Sequence, residues 1–207
     1  MPPLDLLFRP GLASVALVGL LDNVGIYGLI FALSLAFQEL RGLTPVGAGL
    51  LFLPLTLTLV AGTRVGAKFL KKSDPFAPQI WGHVASALGA IALAVIGFDR
   101  GLITIAIPLC VIGLGAGVTV PSMNLSALDS VERERSGLAS GILNSARQTG
   151  GVIGVALLGT LVGGPPTAAG ASWASVAAAI ALAGASALAA RIASQRRASK
   201  AASAELG

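Results

Sequence analysis

The chain has one cysteine, Cys110, and one histidine, His83, among 207 residues. A lone thiol excludes any disulfide within the chain. One His and one Cys cannot close a metal site, so no metal is expected, and nothing signals another cofactor. Charge is equally scarce: 11% of residues are charged, against about 25% in a soluble domain. Aromatic residues make up 5%, and they are not interleaved with the basic residues. The net charge of +5 and the pI of 10.2 therefore do not mark a nucleic-acid surface, and no nucleic-acid partner is expected. No G-x-x-x-x-G-K-[ST] loop occurs, so the chain by itself does not drive transport with ATP. Met1–Arg9 carries Asp5 and runs into an apolar stretch too long for a signal peptide, so no cleavable signal is expected.

What the chain has is long apolar runs. Mean hydropathy is +0.86. Asp22 and Arg147 are the charged side chains inside six apolar stretches, and nearly every other charge falls between them. A helix needs about 20 residues to cross a hydrocarbon core about 30 Å thick. The pattern predicts an all-α membrane protein with six spans at about 11–38, 46–66, 79–98, 102–124, 136–162 and 171–190, forming one domain over 1–190. Residues 191–207 are small, polar and basic, which predicts a disordered cytoplasmic tail near anionic headgroups.

Threading six spans places Arg9, Arg64, Lys68, Lys71, Lys72, Arg133, Arg135, Arg191, Arg196, Arg197 and Lys200 on one side and only Arg41 and Arg100 on the other. Basic residues accumulate in cytoplasmic loops, so both termini are assigned to the cytoplasm. Trp81 and Trp173 fall at span ends, where indole rings favour the membrane interface. His83, beside Trp81, is read as an interface anchor rather than a proton relay.

Polar residues inside spans form stripes. Asn23, Tyr27, Ser34 and Gln38 share one face of the first span, with Asp22 beside them. The fifth span has a matching set in Ser140, Asn144, Arg147 and Gln148. Lipid penalises such faces, so they should look into a bundle or a hydrated cavity. Asp22 and Arg147 lie at similar depth. Two readings stay open: a static Asp22–Arg147 ion pair, or a proton or substrate site. Ser140 and His83 are the candidate pair for an intramembrane hydrolase, but G-L-A-S-G (137–141) lacks a nucleophile's context, and the chain is read as no enzyme. Gly62/Gly66, Gly113/Gly117, Gly137/Gly141 and Gly150/Gly154 are each spaced four apart, as in helix-packing seams. Pro54, Pro108 and Pro121 permit bends.

Residues 121–160 read P-S-M-N-L-S-A-L-D-S-V-E-R-E-R-S-G-L-A-S-G-I-L-N-S-A-R-Q-T-G-G-V-I-G-V-A-L-L-G-T. This resembles the penultimate-helix region of the fourteen-helix drug/proton antiporter branch of the major facilitator superfamily. L-T-P-V-G-A-G-L-L-F-L-P (43–54) resembles the start of that branch's tenth helix. T-R-V-G-A-K (63–68), with Arg64, Gly66 and Lys68, resembles its cytoplasmic loop motif D-R-x-G-R-K, with Thr63 in place of the acid and Ala67 in place of a base. The resemblance implies one transporter half, an inverted repeat of three plus three helices. It implies the C-terminal bundle of a proton-coupled multidrug efflux antiporter in the bacterial plasma membrane, working by alternating access. Substrates would be small and amphipathic or cationic, and the other partners are membrane lipid and an N-terminal bundle that this chain does not contain. Asp22, Asn23, Tyr27, Asn144, Arg147 and Gln148 would line the pathway, while Gly113, Gly117, Gly150 and Gly154 pack helices. Such a chain would be a fragment, a truncated frame or a split-transporter subunit; the rival expectation is a membrane protein that does not itself transport.

Overall fold

The computed structural model describes residues 10–71, 73–97, 101–163 and 166–205. Arg9, Lys72 and Arg100 of the charge map lie outside the described residues. The helices are α1 (Pro10–Arg41), α2 (Pro45–Leu50), α3 (Leu53–Leu70), α4 (Phe76–Ile96), α5 (Leu102–Leu128), α6 (Ser136–Val162) and α7 (Ala168–Glu205), with a 3-10 turn at Arg133–Arg135.

α2 and α3 are two pieces of one crossing. Thr44 Oγ1 accepts from the Gly47 amide at 3.1 Å and caps α2, whose first turn carries Pro45. The break at Leu51–Phe52 precedes Pro54, which has no N–H to donate. Around it the ladder tightens locally, with the Phe52 amide donating to Gly49 O at 3.1 Å. Pro108 and Pro121 sit inside an uninterrupted α5. At the opposite end from the basic loops, α1, α4 and α6 each stop at a glycine of positive φ: Gly42 at 61°, Gly97 at 76° and Gly163 at 96°. Only glycine takes that left-handed turn without strain.

Five stretches are long and apolar enough to cross a membrane: Gly11–Arg41, Pro45–Leu70, Phe76–Ile96, Ile103–Leu128 and Ala168–Ser199. α6 has the length for a sixth crossing at 27 residues; Asn144, Arg147 and Gln148 lower its hydropathy.

The packing has a two-fold logic. Taking α1, α2–α3 and α4 as one triplet and α5, α6 and α7 as the other, α1 packs chiefly on α6 while α5 packs chiefly on α3. Likewise α1 meets α7 and α5 meets α4, and the third helices α4 and α7 meet each other. Exchanging the triplets reproduces the same set of neighbours, as a three-plus-three repeat requires. The two principal seams are parallel and glycine-lined. A side chain at Gly150 or Gly154 would collide with the backbone of Leu20 or Val24, and one at Gly113 or Gly117 with that of Leu55 or Leu59. Gly62 and Gly66 stand equally close to Leu114 and Val118. Such approach replaces the hydrophobic drive that lipid does not supply.

Two apolar clusters fill the bundle. One joins Leu29, Leu33, Phe37, Leu93, Ile105 and Leu109. The other, toward the basic end, joins Leu12, Val15, Phe76, Met123, Leu143 and Ile192. Between them lies a layer of buried polar residues: Asp22 and Asn23 on α1, Gln79, His83 and Ser86 on α4, and Thr119 and Ser122 on α5.

The stretch after residue 190, expected to be disordered, is helix through Glu205. Its alanines, arginines, lysine and glutamate are good helix formers, and Gly207 is its only breaker. It is also tied down. The Arg196 guanidinium lies 5.0 Å from the centre of the Phe76 ring and donates to Ser130 Oγ at 3.2 Å. Arg197 reaches Asp74 at 3.9 Å. These basic groups bind the neighbouring loops of the chain itself.

Candidate functional site

The polar layer is the candidate site. A cavity of about 200 Å³ opens between α1, α3, α5 and α6, with Asp22, Asn23, Tyr27, Thr56 and Arg147 among its lining. Asp22 and Asn23 are buried, Tyr27 is 49% exposed, and Arg147 is half-buried. Tyr27 also borders a shallower groove of about 440 Å³ with Gln148, Gly151 and Val155. Tyr27 thus joins the inner cavity to the open face of α6. Asn144 and Gln148 are exposed on that face. Lower on α1, Gln38 turns back to donate to Ser34 O and Oγ, both at 3.1 Å, and so satisfies its own polarity.

Of the two readings left open, the static Asp22–Arg147 ion pair does not form. Both residues line the same cavity, but Asp22 Oδ1 lies 3.2 Å from His83 Nε2 instead. His83 is therefore no interface anchor: it is 0% exposed. α4 carries it into the bundle from the basic end, while Trp81, on the other face, stays 64% exposed. The Asp22–His83 contact is close but misaligned for a hydrogen bond. Asp22 Oδ1, both ring nitrogens of His83 and Arg147 Nε have no hydrogen-bond partner.

Other polar groups of the layer are better served. Gln79 donates to Ser126 Oγ at 2.8 Å, although its Oε1 has no partner, Ser86 donates to Ile112 O at 3.0 Å, and Ser186 to Ile80 O at 3.1 Å. Gln79, His83 and Ser86 are spaced four and three apart, which puts them on one helical face. That spacing was readable in the sequence and is the signal that marks His83 as interior.

Arg64 and Lys68 of the loop motif are exposed on α3, while Gly66 is buried against α5. Among the described residues neither base has an ion-pair partner. A Cβ added at Gly137 or Gly141 would meet nothing within 4 Å; both border an open groove of about 500 Å³ with Ser145 and Thr149. Among the described residues no group of three or more His, Cys, Asp or Glu could hold a metal.

Residues 2–155 match the family model described as Major Facilitator Superfamily. The chain is 32% identical over 161 residues to a methylenomycin A resistance protein of Streptomyces coelicolor, covering 75% of this chain and 33% of that protein. It is 33% identical over 164 residues to the multidrug efflux pump LfrA of Mycolicibacterium smegmatis, covering 77% of this chain and 32% of that one. The chain thus spans about a third of the length of the curated relatives it matches. Its fold is like that of the peptide transporter POT crystallised with sulfate, with a TM-score of 0.65 and 19% identity over 83% of this chain and 36% of that one.

Proposed function

Because the chain belongs to the Major Facilitator Superfamily, we propose that it works as the C-terminal six-helix bundle of a proton-coupled multidrug-type efflux transporter. The observation that carries this reading is the polar layer opening through Tyr27 onto the exposed face of α6, where Asn144 and Gln148 stand beside Val152 and Val155. A lone bundle in lipid would leave Asn144, Gln148 and the Arg147 cavity facing hydrocarbon, at a cost of several kcal/mol. A second bundle laid against α1 and α6 would turn that face into the wall of a hydrated pathway, and rocking of the two bundles would give alternating access.

In this reading Asp22, Asn23, Tyr27, Asn144, Arg147 and Gln148 face the pathway, and the substrates are small amphipathic or cationic molecules. Support for the substrate class comes from the relatives, named as drug-resistance and efflux proteins. The basic-residue asymmetry supports a bacterial inner-membrane protein with both ends of the bundle cytoplasmic. The direct test is dye efflux from inverted vesicles holding this chain, with and without an N-terminal bundle from such a relative. Proton-driven transport should require both. Efflux by this chain alone would refute the two-bundle reading.

A further inference from the structure

We propose that the cleft between the basic ends of α1 and α7 binds one anionic phospholipid, with Arg196 holding its phosphate. The proposal stands apart from the transport reading, since the cleft shares no residue with the cavity at Asp22 or with the groove at Tyr27.

A cavity of about 230 Å³ lies there, lined by Gly11 and Ser14 of α1 and by Ile192, Gln195, Arg196 and Ser199 of α7. Its polar side chains are a guanidinium, a carboxamide and two hydroxyls, each able to donate a hydrogen bond, and no acidic residue lines it. That donor set suits a phosphate, whose oxygens accept charge-assisted bonds. The volume is several times the roughly 30 Å³ share of one water, enough for a phosphate and its ester oxygens.

Arg196 is held ready for this contact. Its guanidinium lies 5.0 Å from the centre of the Phe76 ring and donates to Ser130 Oγ at 3.2 Å. Ser130 in turn donates to Ser126 O at 2.6 Å, and Phe76 is buried. The planar fork keeps further N–H groups for a bidentate pair with phosphate oxygens. Arg191, exposed and four residues before Gln195, adds positive charge on the same face. The nearby acids do not compete. Asp74 lies 3.9 Å from Arg197, and Glu132 lies 3.5 Å from Arg135. Asp129, next to Ser130 in the chain, is exposed and does not line the cleft.

Depth identifies the source of the phosphate. Trp173, near the other end of α7, is 65% exposed, and indole rings mark the membrane interface. About 20 helical residues cross the hydrocarbon, so α7 meets the opposite boundary at about residue 193, at the level of the cleft. Toward the hydrocarbon, Ser14 continues into Leu17 and Leu21 at i+3 and i+7 on one face of α1. Leu17 is exposed, and Leu21 and Leu188 are half-buried beside the apolar cluster of the basic end. An acyl chain can lie along that track while its phosphate stays at Arg196. Free inorganic phosphate shares the headgroup's chemistry but makes no use of the track.

The test is native mass spectrometry of the full chain, delipidated in detergent and titrated with phosphatidylglycerol, phosphatidylcholine or inorganic phosphate. The first phosphatidylglycerol should bind about tenfold more tightly than the first phosphatidylcholine. Arg196→Gln should weaken it about tenfold. Gln195→Glu should do the same, because it sets an anion beside the phosphate and leaves the Phe76 and Ser130 contacts in place. Arg64→Gln, on exposed α3, should change binding by less than about twofold, since salt screens exposed charges. All three variants remove the same amount of net positive charge, so an equal loss in Arg64→Gln would mean diffuse attraction and overturn the proposal. Unchanged affinity in Gln195→Glu, equal binding of the two lipids, or displacement of lipid by inorganic phosphate would overturn it too. If Arg196→Gln frees the helix end, seen as faster amide exchange there, the comparison of Gln195→Glu with Arg64→Gln decides alone.

Discussion

Replacing Gly154 by alanine puts a methyl group where α6 meets the backbone of α1. The added carbon would stand 2.8 Å from Val24 Cα and 2.9 Å from its carbonyl carbon. Backbone cannot rotate away, so the helices must separate or the seam must bend, at a cost of about 1–3 kcal/mol. The same substitution at Gly141, three to four turns earlier on the same helix, meets nothing within 4 Å. There alanine should stabilise by about 0.5–1 kcal/mol, through helix propensity alone. That propensity gain applies at Gly154 too, so the difference between the variants isolates the packing penalty, about 1–3 kcal/mol. The assay is unfolding of the purified chain in mixed micelles of rising SDS fraction, followed by helical circular dichroism. Gly154→Ala should unfold at a lower SDS fraction than wild type, and Gly141→Ala at an equal or higher one. If Gly154→Ala is as stable as Gly141→Ala, the parallel α1–α6 seam is wrong.

Two further perturbations probe orientation and the last helix. In a Cys110→Ala background, single cysteines at Ser73 and Ser199 should resist an impermeant thiol reagent applied to intact cells, and one at Thr167 should react; outside labelling of the first two would invert the orientation. Arg196→Ala should cost about 0.5–1 kcal/mol from the lost ring contact and should speed amide hydrogen exchange around residues 190–200. Unchanged exchange there would mean that Phe76 and Ser130 do not hold the helix end.

The all-helical, membrane-crossing character was legible because lipid imposes it: every span must satisfy its own backbone hydrogen bonds, so only long apolar helices serve. The glycine pairs at 113/117 and 150/154 were legible as candidates but not as contacts, because spacing does not say which face finds a neighbour. Gly137 and Gly141 have the same spacing, yet a Cβ added there would meet nothing within 4 Å. The partner of Asp22 stayed open for a similar reason. Depth along a span predicts which residues share a level, and Arg147 does share the cavity. Which of two groups at that level is touched depends on helix rotation, which averaging over a span does not capture. The tail was misread from composition: a small, basic, polar stretch looks unstructured, yet its alanines are strong helix formers and Ile192 and Ala193 are buried against the bundle.

The seams that bury the glycines join opposite halves of the chain, and this sets the order of assembly in the cell. Leu20 meets Gly150, and Gly62 meets Leu114 and Gly117, so neither triplet contains the partner of its own close-packed face. A ribosome delivering the chain from its N-terminus releases α1 through α4 before α5 exists. Those helices must be inserted, and must wait singly in lipid, with Gly62 and Gly66 uncovered until α5 arrives. Insertion and packing are therefore separate stages, as the two-stage view of membrane folding holds. α1 waits longest, since its main neighbour α6 is synthesised near the end. Contacts so distant in sequence close slowly and leave partly assembled helices exposed to wrong partners. Quality control at the membrane should accordingly act in the interval between the synthesis of α4 and that of α6, and damage to α5 or α6 should be read by the cell as an orphaned first triplet.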